Sequence, residues 1–99
     1  MQNKNTQNKQ INTILDAIGQ TPFLKLEEGI WVKCEFMNPS GSIKARMAHY
    51  MIERAEQEGL LKKGDTIVEA TSGNTGNALS MIAAVKGYKM LVLMPDGYS

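Results

Sequence analysis

From Trp31 onward the sequence alternates between strand-like and helix-like periods, and each helix-like segment is preceded by a loop of small polar residues. This order constrains the fold more than any other feature. Residues 31–36 read as a strand, 37–41 as a loop of turn formers, and 42–58 as a helix. On that helix Ile43, Met47, Tyr50, Met51 and Ala55 form the expected buried stripe, and Gly59 is its natural stop. Residues 66–70 read as the next strand and 71–76 as a second loop. Residues 77–86 are apolar almost all round, as in a helix covered on several sides, and Gly87 ends them. Residues 89–95 form a continuous apolar run, the kind of strand buried on both faces of a parallel sheet. The expectation is an α/β fold, a parallel sheet with helices packed on it, built from two βαβ crossovers that share a strand. Ahead of it, Asn12 caps a short helix over 13–18 that Gly19 stops, and 23–26 alternates like a further strand.

The bulk numbers narrow the setting. A chain of 99 residues suffices for one small core, and a net charge of +1 gives no reason to expect a nucleic-acid partner or an anionic membrane. Lys62-Lys63 is read as a solvated loop. Cys34 is the only cysteine, so no disulfide forms within the chain; a cytoplasmic setting and a half-buried strand thiol are expected. No apolar stretch is long enough to cross a bilayer. The organisation expected is a flexible tail over 1–11 and one domain over 12–99. His49, the sole histidine, has no Cys or His cluster beside it and is read as structural or surface, with no metal site.

Both loops follow strand C-terminal ends and lead into helix N-termini, where ligands bind in open α/β sheets. In the second loop, Ser72, Gly73 and Gly76 allow close backbone approach. The hydroxyls of Thr71, Ser72 and Thr75 and successive amides face the positive end of the next helix, a place for a carboxylate or phosphate. The same composition equally suits a plain N-cap by Ser72 or Asn74. In the first loop, Ser40-Gly41-Ser42 leads into a helix whose first turn holds Lys44. A cation there opposes the helix dipole, which favours the neutral amine that attacks an aldehyde to form a Schiff base. A lysine extending to water is the plain alternative. Neither a P-loop nor a dinucleotide-binding glycine fingerprint is present.

The segment Asn38-Pro39-Ser40-Gly41-Ser42-Ile43-Lys44 resembles the cofactor-lysine motif of the cysteine synthase and cystathionine β-synthase family. Thr71-Ser72-Gly73-Asn74-Thr75-Gly76 resembles that family's substrate-carboxylate loop, and Ile18-Gly19-Gln20-Thr21-Pro22 its opening motif, with Gln20 where Asn is usual. Val68-Glu69-Ala70 and the run from Ala83 through Lys89 are similar as well, in the same order. The resemblance implies the N-terminal part of a fold-type II pyridoxal-phosphate enzyme, similar to the tryptophan synthase β chain. It implies that Lys44 holds pyridoxal 5'-phosphate and moves the α-proton of an amino-acid substrate. Asn74 is implied to bond the cofactor's ring hydroxyl, and Thr71, Ser72, Gly73, Asn74 and Thr75 to bind the substrate. The implied reaction is β-replacement on an activated serine, with sulfide yielding cysteine; a cystathionine β-synthase-like enzyme and a non-catalytic binding remnant are the alternatives. The complete enzyme is expected to be a homodimer and the 99-residue chain alone inactive. One departure is local: Ala45 stands where the family usually has Asp, which is expected to leave Arg46 without that neighbour.

Overall fold

The computed structural model describes residues 10–70 and 73–96. The chain begins with a 3-10 turn at Ile14–Ala17. Its cap is Thr13 rather than Asn12: Leu15 N donates to Thr13 Oγ1, and the Asp16 carboxylate reaches back to the Thr13 amide. This reciprocal pairing satisfies two donors that a helix start otherwise leaves open. Strands β1 (Phe23–Glu27) and β2 (Ile30–Lys33) then pair antiparallel around a turn at Glu28-Gly29. On this hairpin Phe23 stacks on Trp31 with ring centroids 5.1 Å apart. A second 3-10 turn, Glu35–Met37, leads to helix α1 (Lys44–Gln57), strand β3 (Thr66–Ala70), helix α2 (Asn74–Lys86) and strand β4 (Lys89–Leu93). Strands β3 and β4 pair in parallel, from Thr66 opposite Lys89 to Ala70 opposite Leu93, so β3–α2–β4 is a true crossover.

The first of the two expected crossovers is not formed among the described residues. Strand β2 pairs only with β1, in a sheet separate from β3 and β4. Alternation in 31–36 is equally compatible with a hairpin strand, and the turn formers Glu28-Gly29 let β1 supply its partner. Cys34 lies just past β2, buried, with its amide donating to Pro22 O.

The core lies between the two helices. Ala45, Ala48 and Ile52 of α1 meet Ala78, Leu79 and Ile82 of α2, with Leu15 closing one end. The buried stripe of α1 is therefore not the expected one. Met47, Tyr50 and Met51 are exposed, as is Ile43 just ahead of the helix; Ala55 alone of that set is half-buried. Alanines win the interface because they let two helix backbones approach closely, which long side chains prevent. Near the other end, Lys86 Nζ reaches Glu53 Oε2 at 2.5 Å and Glu56 Oε1 at 2.8 Å, and the Tyr88 hydroxyl also donates to Glu56. Late residues of α2 thus meet late residues of α1. The helices run side by side in the same direction, and both N-termini lie at one end of the layer. Gly87, in the left-handed conformation, ends α2 as the sequence indicated, with its amide donating to Ala83 O.

One face of the β3–β4 pair carries α2, and Ile67 and Met90 pack against the core from it. Among the described residues nothing covers the other face, where Leu91 and Leu93 are 50% and 51% exposed.

Candidate functional site

The loop ahead of α1 is a tight turn closed by Gly41 N donating to Asn38 O at 2.8 Å. Ser40 and Gly41 both lie in the left-handed region, with φ of 79° and 88°. Gly41 takes that conformation freely; Ser40 needs its surroundings to hold it there. The loop ends where the Lys44 amide donates to Ser42 Oγ at 3.2 Å, satisfying one open donor of the first helical turn. Lys44 is thus the first residue of α1, exposed, with no side-chain hydrogen bond or ion pair among the described residues. Two residues before the cap, Ser40 Oγ is a buried hydroxyl without a hydrogen-bond partner among the described residues. Buried hydroxyls are seldom left so, and a ligand atom would satisfy this one.

A polar network fixes this loop. Arg46 Nε donates to Glu35 Oε1 at 2.6 Å and Arg46 Nη2 to Glu35 Oε2 at 3.0 Å, a forked charge-assisted pair. Arg46 Nη2 also donates to Gly19 O at 3.2 Å and lies 3.3 Å from Thr21 Oγ1. The Thr21 hydroxyl donates to Glu35 Oε2 at 2.6 Å. Asn38 Nδ2 donates to Glu35 Oε1 at 2.9 Å, while Asn38 Oδ1 accepts from the Gly19 amide at 2.8 Å. Thr21 and Asn38 are buried polar residues, and both are satisfied here. Gly19 is required at its position: φ is 83°, and a Cβ there would lie 2.9 Å from Arg46 Nη1. Ala45 offers Arg46 no carboxylate, and the arginine is paired elsewhere. Ala45 is itself fully buried against α2, and Glu35 is the arginine's partner. In the sequence Thr21 and Asn38 stand only as members of the family-like motifs and Glu35 only within a strand-like run; nothing there joins them to Arg46.

The Arg46 guanidinium, then the Thr21 hydroxyl, hold the Glu35 carboxyl down at about 2, against an ordinary value of 4.5. A depressed carboxylate contributes stability that is complete above its unfolded value and is lost as the pH falls through its folded value. Acid melting of the wild type is expected to steepen between pH 4.5 and pH 2, and the Glu35→Gln variant to show a flatter dependence there. Thermal melts across that window check it; parallel curves would show that Glu35 contributes nothing.

The second loop leads into α2 through Gly73, which stands at the cap position, so Asn74 is the first helical residue and not the cap. The Asn77 amide donates to Gly73 O at 3.0 Å. Gly73 and Asn74 are exposed, Thr75 is half-buried and Gly76 buried. Thr71 and Ser72 lie outside the described residues. Lys44 and Asn74 are thus the first residues of two helices that run in the same direction and start at one end of the α-helical layer. An open groove of about 660 Å³, lined by Gln20, Thr21, Pro22 and Lys33 among others, includes neither residue. His49 is half-buried, with Nε2 3.8 Å from Glu53 Oε2, and no group of metal-binding side chains occurs among the described residues. No helix among them is long and apolar enough to cross a membrane.

Among the described residues the Lys44 amine and the buried Ser40 hydroxyl have no partner, and the starts of two helices offer open amide donors to an anion. The chemistry of these donors fits an aldehyde cofactor with an anionic substituent. The chain belongs to the pyridoxal-phosphate dependent enzyme family, which residues 14–99 match. It is 54% identical to cystathionine beta-synthase of Apis mellifera over 87% of this chain and 19% of that protein. It is 53% identical to cysteine synthase B of Salmonella typhimurium, over 90% of this chain and 32% of that one. The solved structure of a hydrogen sulfide-producing enzyme from Fusobacterium nucleatum superposes with a TM-score of 0.87 at 46% identity, over 95% of this chain and 33% of that chain. The chain thus spans about a third or less of the length of these relatives.

Proposed function

We propose that this chain supplies the cofactor lysine and the substrate-carboxylate loop of a pyridoxal-phosphate-dependent β-replacement enzyme that forms cysteine from an activated serine and sulfide. The observation that carries the reading is Lys44 at the first turn of α1, exposed and without a side-chain partner among the described residues. Pyridoxal 5'-phosphate supplies the electron sink that makes the α-carbon acidic. Lys44 would anchor it through the ε-amine and afterwards carry the α-proton of the amino acid. Asn74 would bond the ring hydroxyl. Thr71, Ser72 and Thr75, with the Gly73 amide region, would hold the amino acid's carboxylate at the positive end of α2. The similarity to cystathionine beta-synthase favours, as a second reading, a larger thiol in place of sulfide. A homodimer in the cytoplasm is the setting this reading carries for the complete enzyme.

The reading assigns the chain part of a cleft, so the first test is binding rather than turnover. Pyridoxal phosphate is added, the product is reduced with borohydride, and the modified lysine is located by peptide mapping. Modification centred on Lys44 supports the reading; modification spread evenly over the lysines removes it. Within the loop, Thr75→Ala is expected to weaken amino-acid binding by about 1.5–3 kcal/mol, the loss for a hydrogen bond to a charged group, and to spare cofactor binding. Equal loss of both would make the loop structural.

A further inference from the structure

The segment that carries Lys44 is held at both ends by a single carboxylate. Glu35 Oε1 accepts from Asn38 Nδ2, at the start of the loop, and from Arg46 Nε, just past its end. Between these anchors lie the left-handed Ser40 and Gly41, the Ser42 cap and Lys44. The same guanidinium reaches back to Gly19 O and Thr21 Oγ1, so the Gly19–Thr21 turn is tied to the first turn of α1. On a helix, residues two apart point about 200° from each other. Pinning Arg46 against Glu35 therefore fixes the rotation of the first turn and sends Lys44 to the opposite side.

We propose that Glu35 and Arg46 are positioning residues for Lys44: their forked pair sets the direction in which the lysine leaves α1 and holds its loop in the conformation that receives the cofactor. The inference rests on the proposed role of Lys44. A surface ion pair alone would not need this geometry. Glu35 is only 18% exposed in its side chain, both of its oxygens are shared with further donors, and the pair is bidentate. Arginine rather than lysine is required, because only the planar guanidinium reaches two carboxylate oxygens and a backbone carbonyl together. Nothing in the pair touches the reacting amine, so its effect on Lys44 is orientation.

The test uses the chain with pyridoxal phosphate and three variants: Glu35→Gln, Arg46→Ala and Arg46→Lys. Two readouts are taken besides activity. One is the rate at which Lys44 acquires a borohydride-stable modification; the other is the visible circular dichroism per bound cofactor, which reports a fixed orientation. Misplacement of a reacting group by about 1 Å costs up to about 100-fold in rate. Arg46→Ala and Glu35→Gln are expected to slow modification of Lys44 by an amount approaching that, to shift modification toward Lys62 and Lys63, and to reduce the dichroism. Arg46→Lys keeps the charge without the fork and is expected to fall between wild type and Arg46→Ala, which keeps the test informative if the alanine variant folds poorly. Folded Glu35→Gln or Arg46→Lys with wild-type rate and wild-type dichroism at Lys44 would overturn the proposal. If Lys44 of the wild type is not modified selectively, the reading of the lysine itself fails and this inference with it; selective wild-type modification with unchanged variants overturns this inference alone.

Discussion

Replacing Lys44 with alanine is expected to abolish the visible band of bound pyridoxal phosphate and to lower β-replacement by the complete enzyme by at least about 10²–10⁴-fold, the usual worth of a positioned proton-transfer group. The size of the effect follows from the lack of a substitute. Among the described lysines, Lys25 is paired with Glu28, Lys33 with the Thr21 carbonyl, and Lys86 with Glu53 and Glu56. Lys62, Lys63 and Lys89 lie around the start of β3 and β4, at the opposite end of the crossover from the start of α2. None of these can deliver an amine to the N-termini of α1 and α2. Lys44→Arg separates charge from chemistry: the cation is retained and the nucleophilic amine is lost. Both variants are expected to fail in the same way, and absorbance after cofactor addition with single-turnover assays will show it. A Lys44→Ala protein that kept the band and its turnover would place the anchoring amine elsewhere.

Which parts of this could be read from the sequence follows from the range of the interactions involved. The helix stop at Gly87 was legible because its cause is local, a residue free to take the left-handed conformation. The starts were less so: Thr13 caps in place of Asn12, α1 begins at Lys44 rather than 42, and α2 at Asn74 rather than 77. The two candidate loops were legible because small residues before a helix serve one of a few purposes, although Thr71 and Ser72 lie outside the described residues. The face of α1 was not legible. Helical spacing allows two apolar stripes on that segment, one with Met47, Tyr50 and Met51 and one with Ala45, Ala48 and Ile52. Hydrophobicity ranks the first higher. Helix-to-helix distance selects the second, and that distance depends on α2. The Glu35–Arg46 network was hidden for a related reason: Thr21, Glu35, Asn38 and Arg46 each suit a solvated surface, and only the turn at Gly19 brings them together.

The largest effect on stability is expected from Ile82→Ala. Among the described residues Ile82 is the largest fully buried side chain, at 0% exposure, and it lies where the alanines of α1 meet α2. Removing buried methyl groups forfeits their transfer energy and leaves a cavity, at a typical cost of about 2–5 kcal/mol for isoleucine to alanine. Whole domains are stable by only about 5–15 kcal/mol. In a domain of this size each kcal/mol shifts the midpoint by about 4–8 °C, so a fall of roughly 10 °C or more is expected. The neighbouring surface supplies a control. Val85, on the same helix, is 43% exposed, and Val85→Ala is expected to change stability by about 0.5 kcal/mol or less. Denaturant and thermal melts of the two variants measure the difference directly. The proposed cofactor residues Lys44 and Asn74 lie one on each of these packed helices, so Ile82→Ala is expected to weaken cofactor binding as well. Coincident melts for the two variants would show that the core does not lie between α1 and α2.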